Sequence, residues 1–169
     1  MNSSAVLTDG FGRIKEEVHA VVDGLSADDL NARIDPGANS ISWLVWHLTR
    51  VQDDHVADAA GSQQVWAAQG WDDRFGLALP ALSIGYGHTP ADVGKVRVDS
   101  GDLLLGYYDA AHERTLEYIG GLRDADFDRI VDERWSPPVT LGVRLVSVLG
   151  DDSQHVGQAA YVRGVLERR

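Results

Sequence analysis

Gly150-Asp151-Asp152-Ser153-Gln154-His155-Val156-Gly157-Gln158 places two carboxylates and an imidazole in the middle of an otherwise apolar helical seam. Around it Leu141, Leu145, Val148, Ala159, Val162 and Leu166 recur at intervals that put them on one helix face, from about 140 to 167. His155 falls on that face, and Asp151 or Asp152 fills the gap before it. A carboxylate in a core seam is costly unless it is paired, hydrogen-bonded or metal-bound. The stretch therefore predicts a core helix that carries a polar site.

A second seam with one histidine lies far upstream. Ile41, Leu44, Leu48 and Val51 share a face over about 41–59, His47 sits between Leu44 and Leu48, and Asn39 or Ser40 supplies the N-cap. Two more long helices show the same periodicity. Leu7, Phe11, Ile14, Val18, Val21 and Leu25 mark one from about 2 to 24, and Leu104, Tyr108, Ala111, Thr115 and Tyr118 mark one from about 100 to 120. Ser26 to Leu30 reads as a capped short turn, Asp35-Pro36-Gly37 as a turn, and Arg123 to Glu133 as partly helical before the break at Trp135-Ser136-Pro137-Pro138.

These patterns predict an all-α fold, an up-down four-helix bundle forming one domain over residues 1–169. A long connection, 60–99, joins its second and third helices. It holds only short helical fragments, around 63–69 and 73–77, and carries Trp66, Trp71, Phe75, Tyr86 and His88. Connections of that length are uncommon unless they are functional, which suits a cover for a pocket as well as for core. A small ribbon between Val96-Arg97-Val98 and Val139-Thr140 is also expected.

Composition removes several function classes. The net charge of -11 argues against a nucleic-acid partner, whose phosphates require a basic footprint. With no cysteine, disulfides, thiolate metal sites and a cysteine nucleophile are excluded. No apolar run is long enough to span a membrane, and the N-terminus lacks a secretory pattern, so a cytoplasmic location is expected. No Gly-rich phosphate loop or serine nucleophile elbow is present.

Residues four apart on a helix stack one above the other, so Asp151 and His155 suit one metal ion, and Asp152 with His155 is nearly as good. His47 from a facing helix completes two histidines and a carboxylate, a set compatible with zinc, iron, nickel or manganese. The ordinary alternative is a hydrogen-bonded core histidine, with Arg50 or Arg144 as ion-pair partner for the acid. His55 is rotated off the His47 face, Asp54 is about 10 Å along the axis, and His19 and His112 read as solvated or rim residues. His88 lies where the connection can bring an acid or base to the pocket.

With these residues in hand, the chain resembles the DinB-like superfamily of metal-binding helical bundles, and within it the actinobacterial mycothiol S-transferases. The resemblance is carried by Pro36 to Arg50, with Asn39-Ser40-Ile41-Ser42-Trp43-Leu44-Val45-Trp46-His47, and by Asp151 to Gly164, with His155-Val156-Gly157-Gln158. It implies metal ligands His47, Asp151 and His155, choosing Asp151 over Asp152, with aspartate where the family commonly has histidine. It implies a metal-dependent thiol S-transferase in detoxification, with a divalent metal, zinc first and nickel, manganese or iron open. Mycothiol would be the thiol co-substrate and an electrophile the acceptor, with the metal centre itself as catalyst and no separate general base. Arg50, Trp66, Trp71 and Arg163 are the candidates for holding thiol or acceptor. A thiol-dependent maleylpyruvate-type isomerase and a non-catalytic metal-binding stress-response bundle are the alternatives, and a monomer or homodimer is expected.

Overall fold

The computed structural model describes residues 2–169. The first helix, α1 (Ser3–Val22), is capped by Asn2, whose side chain accepts from the Ala5 N–H (2.9 Å). Its buried residues, Leu7, Phe11, Ile14, Val18 and Val21, are the periodic ones, as helical spacing requires. Ser26 caps the short α2 (Ala27–Asn31), which buries Leu30.

The central helix is α3 (Ile41–Ala60), capped by Ser40 and closed by Gly61 in the left-handed conformation. Every residue from Ile41 to Asp53 is buried, so α3 is enclosed on all sides rather than amphipathic. Three short helices follow in the connection: α4 (Val65–Ala68), α5 (Trp71–Phe75) and α6 (Pro90–Val93). The fragments expected around 63–69 and 73–77 correspond to α4 and α5. The third, α6, opens with a Thr89/Asp92 capping box that periodicity did not reveal.

After the connection come α7 (Gly101–Gly120), a 3-10 turn (Asp124–Asp128), a two-stranded ribbon and α8 (Leu141–Leu166). The ribbon pairs β1 (Ile130–Asp132) with β2 (Val139–Thr140), antiparallel. Val96 and Val98 are buried in the core and do not pair with β2. Local closure wins because a short loop between strands loses less chain entropy than one spanning the whole of α7.

Helices α1 and α3 each pack against both α7 and α8. The order is not the expected up-down one: Arg50 meets Tyr107 and Ala59 meets Tyr118, so α3 and α7 run parallel, because the long connection carries the chain back along the bundle before α7 begins. The fold is thus mostly helical. Its main core joins α1, α3, α7 and α8 to the connection through Trp46, Trp66, Trp71, Phe75 and Tyr107. Gly106 on α7 permits this closeness: a Cβ there would lie 2.8 Å from the Trp71 ring. No helix among the described residues is long and apolar enough to cross a membrane.

The register of α8 differs from the expected seam. Its buried stripe runs Leu145, Val148, Asp152, Val156, Ala159 and Val162, while Asp151 and His155 are only half-buried at its edge, beside α3.

Candidate metal centre

One atom each from His47, Asp151 and His155 lies within 4.8 Å of the other two. His47 comes from the enclosed middle of α3, and the other two from consecutive turns of α8. The imidazoles of His47 and His155 meet edge to face, with centroids 4.6 Å apart.

Hydrogen bonds settle which nitrogen each ring presents. Nδ1 of His47 bonds the Ile84 carbonyl, which can only accept, so that nitrogen carries the proton and Nε2 keeps its lone pair. Nδ1 of His155 likewise donates to the Asp151 carbonyl (2.9 Å), leaving Nε2 free. The same Nδ1 is 3.3 Å from Oδ2 of Asp151, but its proton points to the backbone. Oδ2 is therefore buried with no hydrogen-bond partner. Two free imidazole lone pairs facing an orphaned carboxylate oxygen are the donor set a divalent cation takes up. Orienting each ring through its other nitrogen is how metal-binding histidines are normally supported.

The protonation preferences of the two rings differ: His47 is kept neutral, whereas Asp151 favours the imidazolium of His155, whose proton must leave before Nε2 can take a cation. Burial pushes the His47 pKa below its ordinary value, against the Ile84 bond, and the neighbouring His155 adds to the depression. Burial also acts downward on His155, but the adjacent Asp151 carboxylate (3.3 Å) and the bond to the Asp151 carbonyl outweigh it, and the net shift is upward. Asp151 is held below the ordinary carboxylate value because His155 and His47 overcome its burial.

Trp43 stacks on His47 at 4.5 Å and walls the site on that side. Its indole N–H donates to Nδ1 of His88 (3.1 Å). Since indole only donates, His88 in its neutral form carries its proton on Nε2 and gives it to Ser83 Oγ (2.8 Å). Burial favours that neutral form. His88 is thus a brace within the connection, and it is not set up to deprotonate Ser83.

The residues expected to hold thiol or acceptor are placed elsewhere. Arg50 is fully buried; it donates to the Ser83 carbonyl, Tyr107 Oη and Gln64 Oε1, with its guanidinium 4.8 Å from the Trp66 ring centroid. Trp66 and Trp71 are residues of the connection, on α4 and α5, that bury their rings in the core. Arg163 donates to the carbonyls of Ala20, Val21 and Asp23, tying α8 to the end of α1. None of the four is brought to the His47–Asp151–His155 cluster.

Among the other histidines, His55 accepts from Arg144 (3.3 Å) and His19 pairs with Asp109 (2.9 Å). His112 departs from the expected rim position: it is buried and stacked on Tyr108, because it faces inward from α7. Of the two aspartates left open for the seam before His155, Asp152 is the one in the core. It is completely buried, both its oxygens lack a partner, and burial, then the Asp151 charge, pushes its pKa well up. The four-residue step from Val148 to Asp152 to Val156 was the available signal.

A family model described as the DinB superfamily matches residues 11–159. No curated protein matches the chain. Among solved structures, the crystal structure of the conserved protein of locus from Enterococcus faecalis matches with a TM-score of 0.93 and 30% identity, over 100% of this chain and 99% of that one.

Proposed function

The chain belongs to the DinB superfamily, and on that premise we propose that it is a metal-dependent S-transferase joining a low-molecular-weight thiol to an electrophilic small molecule. Mycothiol is the thiol put first, and zinc the metal put first. The scaffold we assign is a four-helix bundle in which α3 and α7 run parallel, with the connection between them closing over the site.

One observation carries the reading. Among the described residues the cluster has three protein donors, and its carboxylate oxygen is buried without a partner. Structural zinc sites are normally closed by four protein ligands, whereas three leave a position for a substrate. A divalent cation held there would stabilise the ionised form of a thiol. Ionisation alone is a modest gain: a thiol of pKa ~8.5 is a few per cent ionised at pH 7, so full ionisation supplies at most roughly thirtyfold, about 2 kcal/mol. Most of the acceleration then falls to positioning by the chain. His47 and Trp43 form a stacked wall that keeps water from one side, and the Ile84 carbonyl holds the His47 ring in a single orientation. During transfer the sulfur–carbon bond forms, the thiol proton passes to solvent, and the acceptor's leaving group departs with its electron pair.

An isomerase acting on a dicarboxylate needs free cations beside the site. Arg50 and Arg163 are committed as described, and Arg144 donates to Asp132 (2.9 Å) and His55. This favours S-transfer over isomerisation.

The test is metal analysis of the purified protein and of Asp151→Ala and His155→Ala, with thiol consumption measured on zinc-, nickel-, manganese- and iron-loaded protein. Monochlorobimane and chlorodinitrobenzene serve as acceptors, each losing chloride. Both variants should lose metal and turnover. Stoichiometric metal retained in both refutes the ligand set, and loaded protein that consumes no thiol refutes S-transfer.

A further inference from the structure

A solvent-open groove of about 460 Å³, lined by α3, α8 and the loop after α2, runs along the two helices that carry His47 and His155, with a volume in the range of small-molecule sites. Ile34, Leu44 and Val162 supply its apolar surface, and Asn39, Gln154 and Gln158 supply carboxamides. Leu44 precedes His47 by three residues and Gln158 follows His155 by three, so both walls begin within about 5 Å of the ligands along their helix axes. Gln154 immediately precedes His155.

No charged side chain lines this pocket among the described residues. Arg169 reaches its edge, but there donates to the Ile34 carbonyl (3.0 Å). Tyr161, 66% exposed, stands at the mouth.

We propose that this pocket binds the uncharged body of the thiol substrate, a chain bearing hydroxyl or amide groups, and selects it against thiols that carry phosphate or carboxylate. The proposal rests on the S-transfer reading above. Carboxamides both donate and accept, so they match hydroxyls and amides but offer no counter-charge to an anion. An anionic group entering here gives up hydration without being paired, in a chain of net charge -11. The thiol is the substrate whose sulfur is held at the ligands, and the pocket begins where the ligands end. An apolar acceptor would leave the Asn39 and Gln158 carboxamides unmatched, while Gln154 already donates to the Gly150 carbonyl (3.1 Å).

Gly157 makes the pocket testable. It lines the cavity, and a Cβ added there meets nothing within 4 Å. Gly157→Leu therefore fills the pocket without steric conflict at Cβ, while improving helix propensity. Metal-loaded protein would be assayed with pantetheine, a neutral amide- and hydroxyl-bearing thiol, with its 4′-phosphorylated form, and with 2-mercaptoethanol, which is too short to fill the pocket. Monochlorobimane is the acceptor, and calorimetric binding of pantetheine is measured alongside.

Pantetheine should exceed its phosphorylated form by about tenfold in kcat/KM. In Gly157→Leu its KM should rise by about tenfold, with metal content and melting temperature maintained and with a smaller loss for 2-mercaptoethanol. Equal use of both long thiols, or a KM that does not change in the variant, overturns the pocket assignment. Pantetheine binding that Gly157→Leu weakens, without thiol consumption by any form, upholds the pocket and instead refutes S-transfer. A variant that loses metal shows that Gly157 supports the ligands, which also overturns the assignment.

Discussion

The backbone carbonyl of Ile84 holds Nδ1 of His47, 37 residues earlier in the chain, and so makes the long connection part of the candidate metal site. The bond fixes the ring's tautomer and directs Nε2 toward Asp151 and His155. Packing is tight around it. A Cβ on the next residue, Gly85, would lie 2.6 Å from Nδ1 of His47, 3.1 Å from Trp46 and 3.2 Å from Trp43.

Gly85 has φ +93°, where an L side chain is strained, and the space beside it is already filled by three rings. Gly85→Ala should therefore cost about 1–3 kcal/mol of stability. By displacing Ile84 it should also weaken metal binding by roughly 10- to 100-fold, the usual effect of losing a partner that orients a ligand. Chelator competition and urea unfolding measure the two effects separately. Unaltered metal affinity would mean that the Ile84 bond does not orient His47.

The contributions of His155 to metal binding and to metal-free stability should respond to pH with opposite signs. In the metal-free protein the proton to be displaced sits on His155, whose pKa is raised above 6.5 by Asp151 despite burial. Affinity should thus fall by about tenfold per unit as pH drops below that raised value. The His155 contribution to metal-free stability is complete below 6.5 and is lost as pH rises through the raised folded value. Asp151, lowered from 3.8, contributes above 3.8 and loses that contribution as pH falls through its lowered value. The pair thus stabilises the metal-free chain between those two limits. Competition titrations of the wild type, and urea melts of wild type against His155→Ala from about pH 5.5 to 8, test both slopes. The difference between the melts removes the lowered His55, His88 and His112, which act the other way, and parallel slopes would contradict the raised pKa of His155.

Asp152 should destabilise the fold. Burial raises its pKa well above 3.8, so the folded state binds a proton that the unfolded state releases, and stability falls as pH rises from 3.8 toward the folded value. Tyr108, whose hydroxyl is also buried without a partner, gains nothing from it. Asp152→Leu should stabilise the metal-free protein by about 1–4 kcal/mol at neutral pH, with a smaller gain at pH near 4. A variant less stable at both pH values would show that the carboxyl has a stabilising partner.

Helical periodicity made the four long helices legible, because Leu7 to Val21 or Leu104 to Thr115 can bury only one stripe. It did not determine the register of α8. Seams through His155 and through Val156 share Leu145, Val148, Ala159 and Val162, so spacing alone allows both, and the core takes Asp152 and Val156 and leaves Asp151 and His155 at the edge. Nor could pattern show that Ile84 meets His47, since a carbonyl contact depends on no side-chain type. Arg50 and Arg163 looked like ligand-binding cations because a sequence does not show which carbonyls are in reach.

Arg50 gives the sharpest test of how the connection is held. Its donors reach the Ser83 carbonyl (3.1 Å), Tyr107 Oη (3.1 Å) and Gln64 Oε1 (2.9 Å), linking both ends of the segment to α3 and α7. Beside it, Asp53 accepts from the Val65 and Trp66 N–H groups and from Tyr107 Oη, and lies 3.6 Å from the Arg50 guanidinium. Lysine keeps the charge but cannot fork to three acceptors. Arg50→Lys should therefore leave at least one buried acceptor unpaired. Arg50→Ala, which leaves the Asp53 carboxylate without its cation, should cost about 3–5 kcal/mol. Because Ser83 precedes Ile84, both variants should also loosen His47 and lower metal affinity under conditions where the chain is still folded. Urea unfolding with and without metal separates the two: the stabilisation that metal confers should shrink in Arg50→Lys. If it stays at the wild-type value while the metal-free protein is destabilised, Arg50 braces the core alone and the connection holds the site without it.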